Sequence, residues 1–319
     1  MNDALPDYVR ALGHGIWCID TGFHRPGFDA AYLLVDGGEA AFVDTGTNFG
    51  VPRLLAALAA LGVEQGAVRY VIPTHVHLDH AGGVGRLMRA LPAAQMLVHP
   101  RGLRHLVDPS ALAASALAIY GPQTMARDYG ELVPVDAARA QASEDGMRVA
   151  LGARALLVAH TPGHALHHHC IWDEASRGWF TGDTFGLSHR EFDTATGPWV
   201  CASSTPVQFD PIQLRASVER LMARAPQWMY LTHFGRVGDV ARLAAELLGQ
   251  LHEMEAMGRA GRHRADRDAW LRAQLEQMYL RRLHAHGCTL ADATISELLA
   301  LDLDLNAQGL GIWTTRLAD

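Results

Sequence analysis

Apolar residues fall in short blocks along the first three quarters of the chain and in long, helically spaced stripes after that. Residues 16–19, 31–35 and 40–43 are short apolar runs separated by turn material such as Asp36-Gly37-Gly38, and they predict strands. The third ends in Val43-Asp44-Thr45-Gly46. Residues 51–61 (VPRLLAALAAL) predict a helix stopped by Gly62. Residues 69–73 predict a buried strand that runs straight into Thr74-His75, followed by a helix near 83–90 and a strand over 95–99. Strands return near 147–150, 154–159, 168–172 and 178–181, then a helix near 211–224 and a strand near 227–231.

Three stretches break this rhythm. Residues 100–130 mix short helical pieces with Pro109, Gly121 and Pro122, and predict an inserted, cap-like segment over a site. Residues 186–210 predict a long loop punctuated by Gly197, Pro198 and Pro206. From about 238 the pattern turns helical, over 238–258, 265–285 and 292–301, with one short strand expected at 310–314. The expected organisation is a catalytic domain over 1–237, with 100–130 as its insert, and a helical extension over 238–319 packed on it. The apolar stripe of Leu243, Leu247, Leu251 and Met254 must be buried somewhere. The expectation is that these helices flank the pocket and also form a homodimer face.

Composition narrows the chemistry. Of 319 residues, 49% are apolar and 19% charged, which is globular and leaves no role for global disorder. All 27 basic residues are Arg. The missing Lys excludes a P-loop lysine, a Schiff-base lysine and a Ser-Lys pair. A net charge of −7 argues against a nucleic-acid partner, and no long apolar run predicts a membrane span. Cys18, Cys170, Cys201 and Cys288 stand far apart, so buried thiols in a reducing compartment are expected rather than a disulfide framework. The first twenty residues lack a basic region followed by an apolar run; with the thiols, this predicts a cytoplasmic protein.

Histidine is the anomaly, at 18 residues. Thr74-His75-Val76-His77-Leu78-Asp79-His80 places three imidazoles and a carboxylate directly after a predicted strand. Extended backbone puts His75 and His77 on one side, and the turn that follows can swing Asp79 and His80 toward a second point. One loop can thus serve two metal ions, and imidazole with carboxylate suits zinc, iron or manganese. His164 in Thr161-Pro162-Gly163-His164 follows another strand, and His168 nearby is expected to partner a ligand. Asp183 in Gly182-Asp183-Thr184 can bridge two cations, which two-metal sites hold about 3.5–4 Å apart. His233 in Thr232-His233 ends a fourth strand and completes the second ion's donors.

These pieces, in this order over roughly 15–237, resemble the metallo-β-lactamase-fold hydrolases. The resemblance implies an α/β fold: a four-layer αββα sandwich of two mixed β-sheets flanked by helices, here with a C-terminal helical appendage. Carried over residue by residue, it implies His75, His77 and His164 on one metal ion, Asp79, His80 and His233 on the other, Asp183 between them, and Asp44 buttressing the loops. Two divalent ions, zinc first and iron or manganese next, are the implied cofactors. The implied mechanism is attack by a metal-bridging hydroxide, oriented by Asp79 as the catalytic carboxylate.

An aspartate at 183 points to the glyoxalase II, lactonase and RNA-processing branches. Glyoxalase II continues with Gly-Cys-Gly-Arg, where this chain has Phe185-Gly186-Leu187-Ser188-His189-Arg190. The RNA-processing branch adds a basic exosite that is missing here. A group of bacterial and archaeal single-chain hydrolases shares Ala81-Gly82-Gly83, His99-Pro100 and Asn306–Leu310. The expected function is hydrolysis of a small ester, thioester or lactone. The alternatives are a metal-binding sensor or interaction protein, and a di-iron redox protein of the same fold. Tyr120, Phe185, His189 and Phe234 are the substrate-binding candidates.

Overall fold

Side-chain alternation along short strands builds two sheets. The computed structural model describes residues 5–317. The first sheet holds β1 (Val9–Gly13), β2 (Ile16–Asp20), β3 (Ala30–Asp36), β4 (Glu39–Val43), β5 (Val68–Ile72), β6 (Gln95–Val98) and β7 (Ala140–Ala142), in that spatial order. Strands β1 to β4 pair antiparallel, and β4 to β7 pair parallel. The parallel crossovers are helical: α1 (Val51–Ala60), then α2 (Leu78–Ala81) and α3 (Val84–Ala90). Between β6 and β7 lie α4 (Pro100–Val107), α5 (Ser110–Thr124) and a π-turn at Met125–Tyr129, so the 100–130 segment is helical.

The second sheet is β8 (Arg148–Leu151), β9 (Arg154–His160), β10 (His169–Asp173), β11 (Gly178–Gly182), β12 (Trp228–Leu231) and β13 (Gly235–Val237), ordered β13-β12-β11-β10-β9-β8. Only β11 and β12 pair parallel. The two sheets bury one face against each other. Ala30, Tyr32 and Leu34 of β3 and Ala41 and Val43 of β4 share a core with Leu156, Val158, Ile171, Phe180 and Tyr230. The intervening Ala31, Leu33, Ala40 and Phe42 point the other way, onto Leu54, Leu58, Val84 and Leu87 of α1 and α3. This is an α/β architecture of two mixed sheets with helices outside.

The chain forms two compact units. The first takes in residues up to His160, His167–Gly182 and Gln227–Gly238, and so holds β1 to β13, the strands among the described residues. The second comprises Thr161–Leu166, Asp183–Pro226 and the residues from Asp239 on. It contains α6 (Pro211–Met222), α7 (Val240–Gly261), α8 (Arg267–Ala285), α9 (Asp292–Leu298) and α10 (Ala300–Thr315). Asp210 caps α6 by accepting from the amides of Ile212 and Gln213 at 3.0 and 3.1 Å. The irregular segment that ends near Asp210 is tied to the helices by two buried amides. Gln250 of α7 accepts from the Ala202 amide and donates to the Val200 carbonyl, both at 2.8 Å. Asn306 of α10 accepts from the Ser204 amide at 2.8 Å and donates to the Ala202 carbonyl at 3.0 Å.

One strand expectation fails. Residues 310–314 belong to α10, not to a strand. Leu303, Ala307, Leu310 and Trp313 are buried at spacings of three and four, which is a helical stripe. Gly309 interrupted that stripe in the sequence, yet a Cβ there would sit 2.5 Å from Ser204 Oγ, so close packing selects glycine. Among the described residues, no helix is long and apolar enough to cross a membrane.

Candidate metal centre

The site residues of the first unit stand on loops that leave β4, β5 and β12. Asp44 follows β4 with a left-handed backbone (φ 56°), which turns its carboxylate under the neighbouring loops. It is 1% exposed. It accepts from the Thr74 amide at 2.7 Å, from Thr74 Oγ1 at 3.0 Å and from Thr232 Oγ1 at 2.7 Å. His80 Nδ1 lies 2.9 Å from Asp44 Oδ2. One carboxylate therefore joins the loop of His75, the helix start that carries His80 and the loop of His233.

These contacts decide which ring nitrogens are presented. With Nδ1 of His80 engaged by Asp44, Nε2 is the nitrogen that faces Asp79 Oδ2, at 3.6 Å. His233 repeats the arrangement: Nδ1 lies 2.9 Å from the Phe28 carbonyl, and Nε2 lies 3.3 Å from Asp79 Oδ2. Asp79, His80 and His233 each offer a ligand atom within 4.8 Å of the others. Two imidazole nitrogens and a carboxylate oxygen, with outer nitrogens held by carboxylate or carbonyl, make a donor set that fits a divalent transition metal. His75 and His77 converge as well, with Nε2 and Nδ1 2.6 Å apart. His168 is fully buried and stacks on His75 at 4.7 Å between ring centroids.

The second unit carries the remaining pair. His164 Nδ1 lies 3.2 Å from the Ser203 carbonyl, which leaves Nε2 facing Asp183 Oδ2 at 3.3 Å. Thr184 donates to Thr161 Oγ1 at 3.1 Å, tying the two loops together. Both His164 and Asp183 are buried. Gly182, just before Asp183, has φ 47°, and a Cβ there would meet Thr74 Oγ1 at 2.5 Å. Only glycine fits that turn.

The substrate candidates are scattered. Tyr120 is 38% exposed on α5 and lies 5.2 Å from the Tyr129 ring. Phe234 is half-buried against the core between the sheets. In the second unit, Phe185 is fully buried, and buried His189 has Nε2 2.9 Å from Asp302 Oδ2. Two residues near His233 carried no sequence signal. Phe28 acts through its carbonyl, which any residue possesses. Asp29 is fully buried and receives the Thr21 hydroxyl; burial pushes its carboxyl up to about 7, against the opposing pull of His233.

A second histidine group lies behind the His75 loop. His169 Nε2 is 3.0 Å from the Pro73 carbonyl, and Nδ1 is 2.9 Å from Ser143 Oγ. Burial holds His169 down to about 3, and His99, 6.5 Å away between rings, down to about 4. Both lie below the ordinary histidine value, so the unfolded chain binds protons first as pH falls. Stability is full above about pH 6.5 and drains as pH drops toward 4, with His169 alone contributing a slope of up to about 1.4 kcal/mol per pH unit. Urea unfolding of chelator-treated protein at pH 7.5 and pH 4.5 checks this, and equal stabilities would contradict it.

Comparison with known proteins agrees with this architecture. The metallo-beta-lactamase superfamily profile matches residues 24–233. The chain is 30% identical over 189 residues to the acyl-coenzyme A thioesterase MBLAC2 of Homo sapiens, covering 54% of this chain and 64% of that protein. It is 29% identical over 154 residues to the atrochrysone carboxyl ACP thioesterase of Aspergillus fumigatus, covering 48% and 38%. The chain thus spans less than two thirds of either relative. An archaeal metallo-beta-lactamase superfamily protein from Sulfolobus tokodaii shares the fold, with a TM-score of 0.60 at 23% identity over 76% of this chain and 86% of that one. On the matched span and the shared fold, this chain belongs to the metallo-β-lactamase superfamily.

Proposed function

We propose that the chain is a dinuclear metal-dependent hydrolase of a small ester, thioester or lactone. The observation that carries this is the Asp79, His80 and His233 donor set, held from behind by Asp44 and the Phe28 carbonyl. In this reading His75, His77 and His164 hold one ion, Asp79, His80 and His233 the other, and Asp183 bridges. When bound, two such ions make water nucleophilic near neutral pH and polarise the scissile carbonyl. The protein's own residues do the positioning. Asp44 fixes the tautomer and direction of His80, and its hydrogen bonds to Thr74 and Thr232 hold both neighbouring loops in register. Asp79, a quarter exposed beside buried His80, is placed to accept a proton from the attacking water and orient it.

Two thioesterase-named relatives favour the thioester within this range. The test is a turnover screen of metal-loaded protein over thioester, ester, lactone, β-lactam and phosphodiester panels. Chelator-sensitive cleavage of the acyl substrates supports the proposal. Exclusive cleavage of phosphodiesters, or none, removes it.

A further inference from the structure

A cavity of about 490 Å³ lies beside the metal loop, and its walls all belong to the first unit. Phe23 and His24 come from the link between β2 and β3, Thr47 from the link between β4 and α1, Arg53 from α1, and Arg127 and Asp128 from the π-turn. Two contacts tie these walls to the proposed metal ligands. Phe23, whose ring is 4.0 Å from that of His24, is buried in one cluster with Leu78, the residue between His77 and Asp79. Thr47 backs onto the turn that follows His80: a Cβ on Gly82 would lie 3.4 Å from Thr47 Cα, and the Gly83 amide donates to the Gly46 carbonyl at 2.8 Å. Burial holds the His24 imidazole below the ordinary histidine value, against the pull of the Asp128 and Asp79 carboxylates, so at neutral pH it lines the cavity as an uncharged ring.

Arg53 is the cation of this lining with donors to spare. Its Nη1 donates to the Asp20 carbonyl at 3.0 Å, and its Cζ lies 4.8 Å from the centre of the Tyr8 ring. Gly22 packs onto the guanidinium, where a Cβ would meet Cζ at 2.8 Å and Nε and Nη2 at 3.0 Å. The Asp20 carboxylate stands 3.5 Å from Nη1, and its two oxygens accept from the Gly22 and Gly27 amides at 2.7 Å each. Among the described residues Nε and Nη2 make no hydrogen bond. That edge carries the parallel N–H pair that matches a carboxylate. Arg127, the other cation of the lining, is spent on Asp128 through hydrogen bonds of 2.7 and 2.6 Å. Thr47 is 2% exposed, and its Oγ1 accepts from the Phe49 amide at 3.3 Å while keeping its own proton to donate. One held cation with a two-pronged donor edge, a spare hydroxyl and a neutral imidazole call for a single negative charge spread over two oxygens. We propose that this cavity seats a carboxylate that the substrate carries away from its scissile bond, with the Arg53 edge taking both oxygens. A phosphate dianion would ask for a second uncommitted cation, which this lining does not offer. The inference rests on the hydrolase reading and narrows it to substrates that bear an unreacting carboxylate.

Matched substrate pairs test it with metal-loaded protein: a monoester of adipic acid against the same ester of its half-amide, and the acetyl ester of 3-hydroxybenzoate against that of 3-hydroxybenzamide. In at least one pair the carboxylate should raise kcat/KM by about 10–100-fold, mainly through KM, as charge-assisted hydrogen bonds to an unreacting group do. Arg53→Gln, which keeps a donor for the Asp20 carbonyl, should erase that preference. Thr47→Val, which removes no charge, should lower it and repeats the test if Arg53→Gln fails to show a native urea transition. Adipate binding by calorimetry is read in parallel on chelator-treated protein, so that capture by metal ions plays no part. Saturable binding that weakens by about tenfold or more in Arg53→Gln supports the seat even if no substrate is cleaved, and the hydrolase reading then fails alone. Equal turnover within both pairs and no adipate binding overturn the seat and leave the hydrolase standing. A carboxylate preference that both variants retain overturns it too. Inorganic phosphate that binds more tightly than adipate, and is lost in Arg53→Gln, assigns the cavity to a phosphate-bearing ligand and likewise overturns it.

Discussion

Asp183→Ala is expected to lower acyl hydrolysis by several orders of magnitude with only modest loss of stability. In the proposed centre Asp183 would be the carboxylate shared by both ions, and two-metal sites depend on such a group to hold the pair about 3.5–4 Å apart. No other residue of the Gly182-Asp183-Thr184 turn can replace that bridge. Asp183 is also buried beside His164, with Oδ2 3.3 Å from Nε2. The turn geometry rests on Gly182 rather than on the carboxylate, which is why the fold should survive. Turnover, metal content and urea unfolding on the same preparation check this. Near-full turnover with unchanged metal content would remove the bridging role.

Asp44→Ala should be nearly as damaging, by a different route. Asp44 touches no substrate in this account. It is the acceptor for the Thr74 amide, the Thr74 and Thr232 hydroxyls and His80 Nδ1. Truncation would leave several buried polar groups without an acceptor, each worth about 1–3 kcal/mol. Alanine is also strained at φ 56°, where asparagine is tolerated. We expect a loss of about 3 kcal/mol or more in stability and a loss of about 10–100-fold in metal affinity. Asp44→Asn should recover part of the stability but less of the metal affinity, because an amide nitrogen cannot accept from His80. Urea unfolding of the metal-free variants separates the two effects. Equal metal affinity in wild type and Asp44→Asn would contradict the assigned role.

What the sequence made visible follows from where information sits in it. Strands β2 to β6 and β9 to β12 are buried on both faces or flanked by clear turns, and their apolar runs stand out. The strands without a sequence expectation, β1, β7 and β13, are all at sheet edges and are three to five residues long. Edge strands bury only part of their side chains, so their pattern is weak. The His75–His80 run, His164, Asp183 and His233 drew attention because polar donors at strand ends are chemically unusual. Phe23 and Phe28 did not, since they sit in the irregular segment between β2 and β3, where no periodicity points inward. The carbonyl of Phe28 and the left-handed turn at Asp44 are backbone features that residue identity does not encode.

The central claim is a dinuclear centre, and elemental analysis tests it most directly. Protein purified without chelator, and shown to be folded by its urea transition, should hold about two transition-metal ions per chain, with zinc the leading candidate. His75→Ala and His233→Ala should each lower that number toward one. Well-folded, unstripped protein that carries one ion or none per chain would contradict the account.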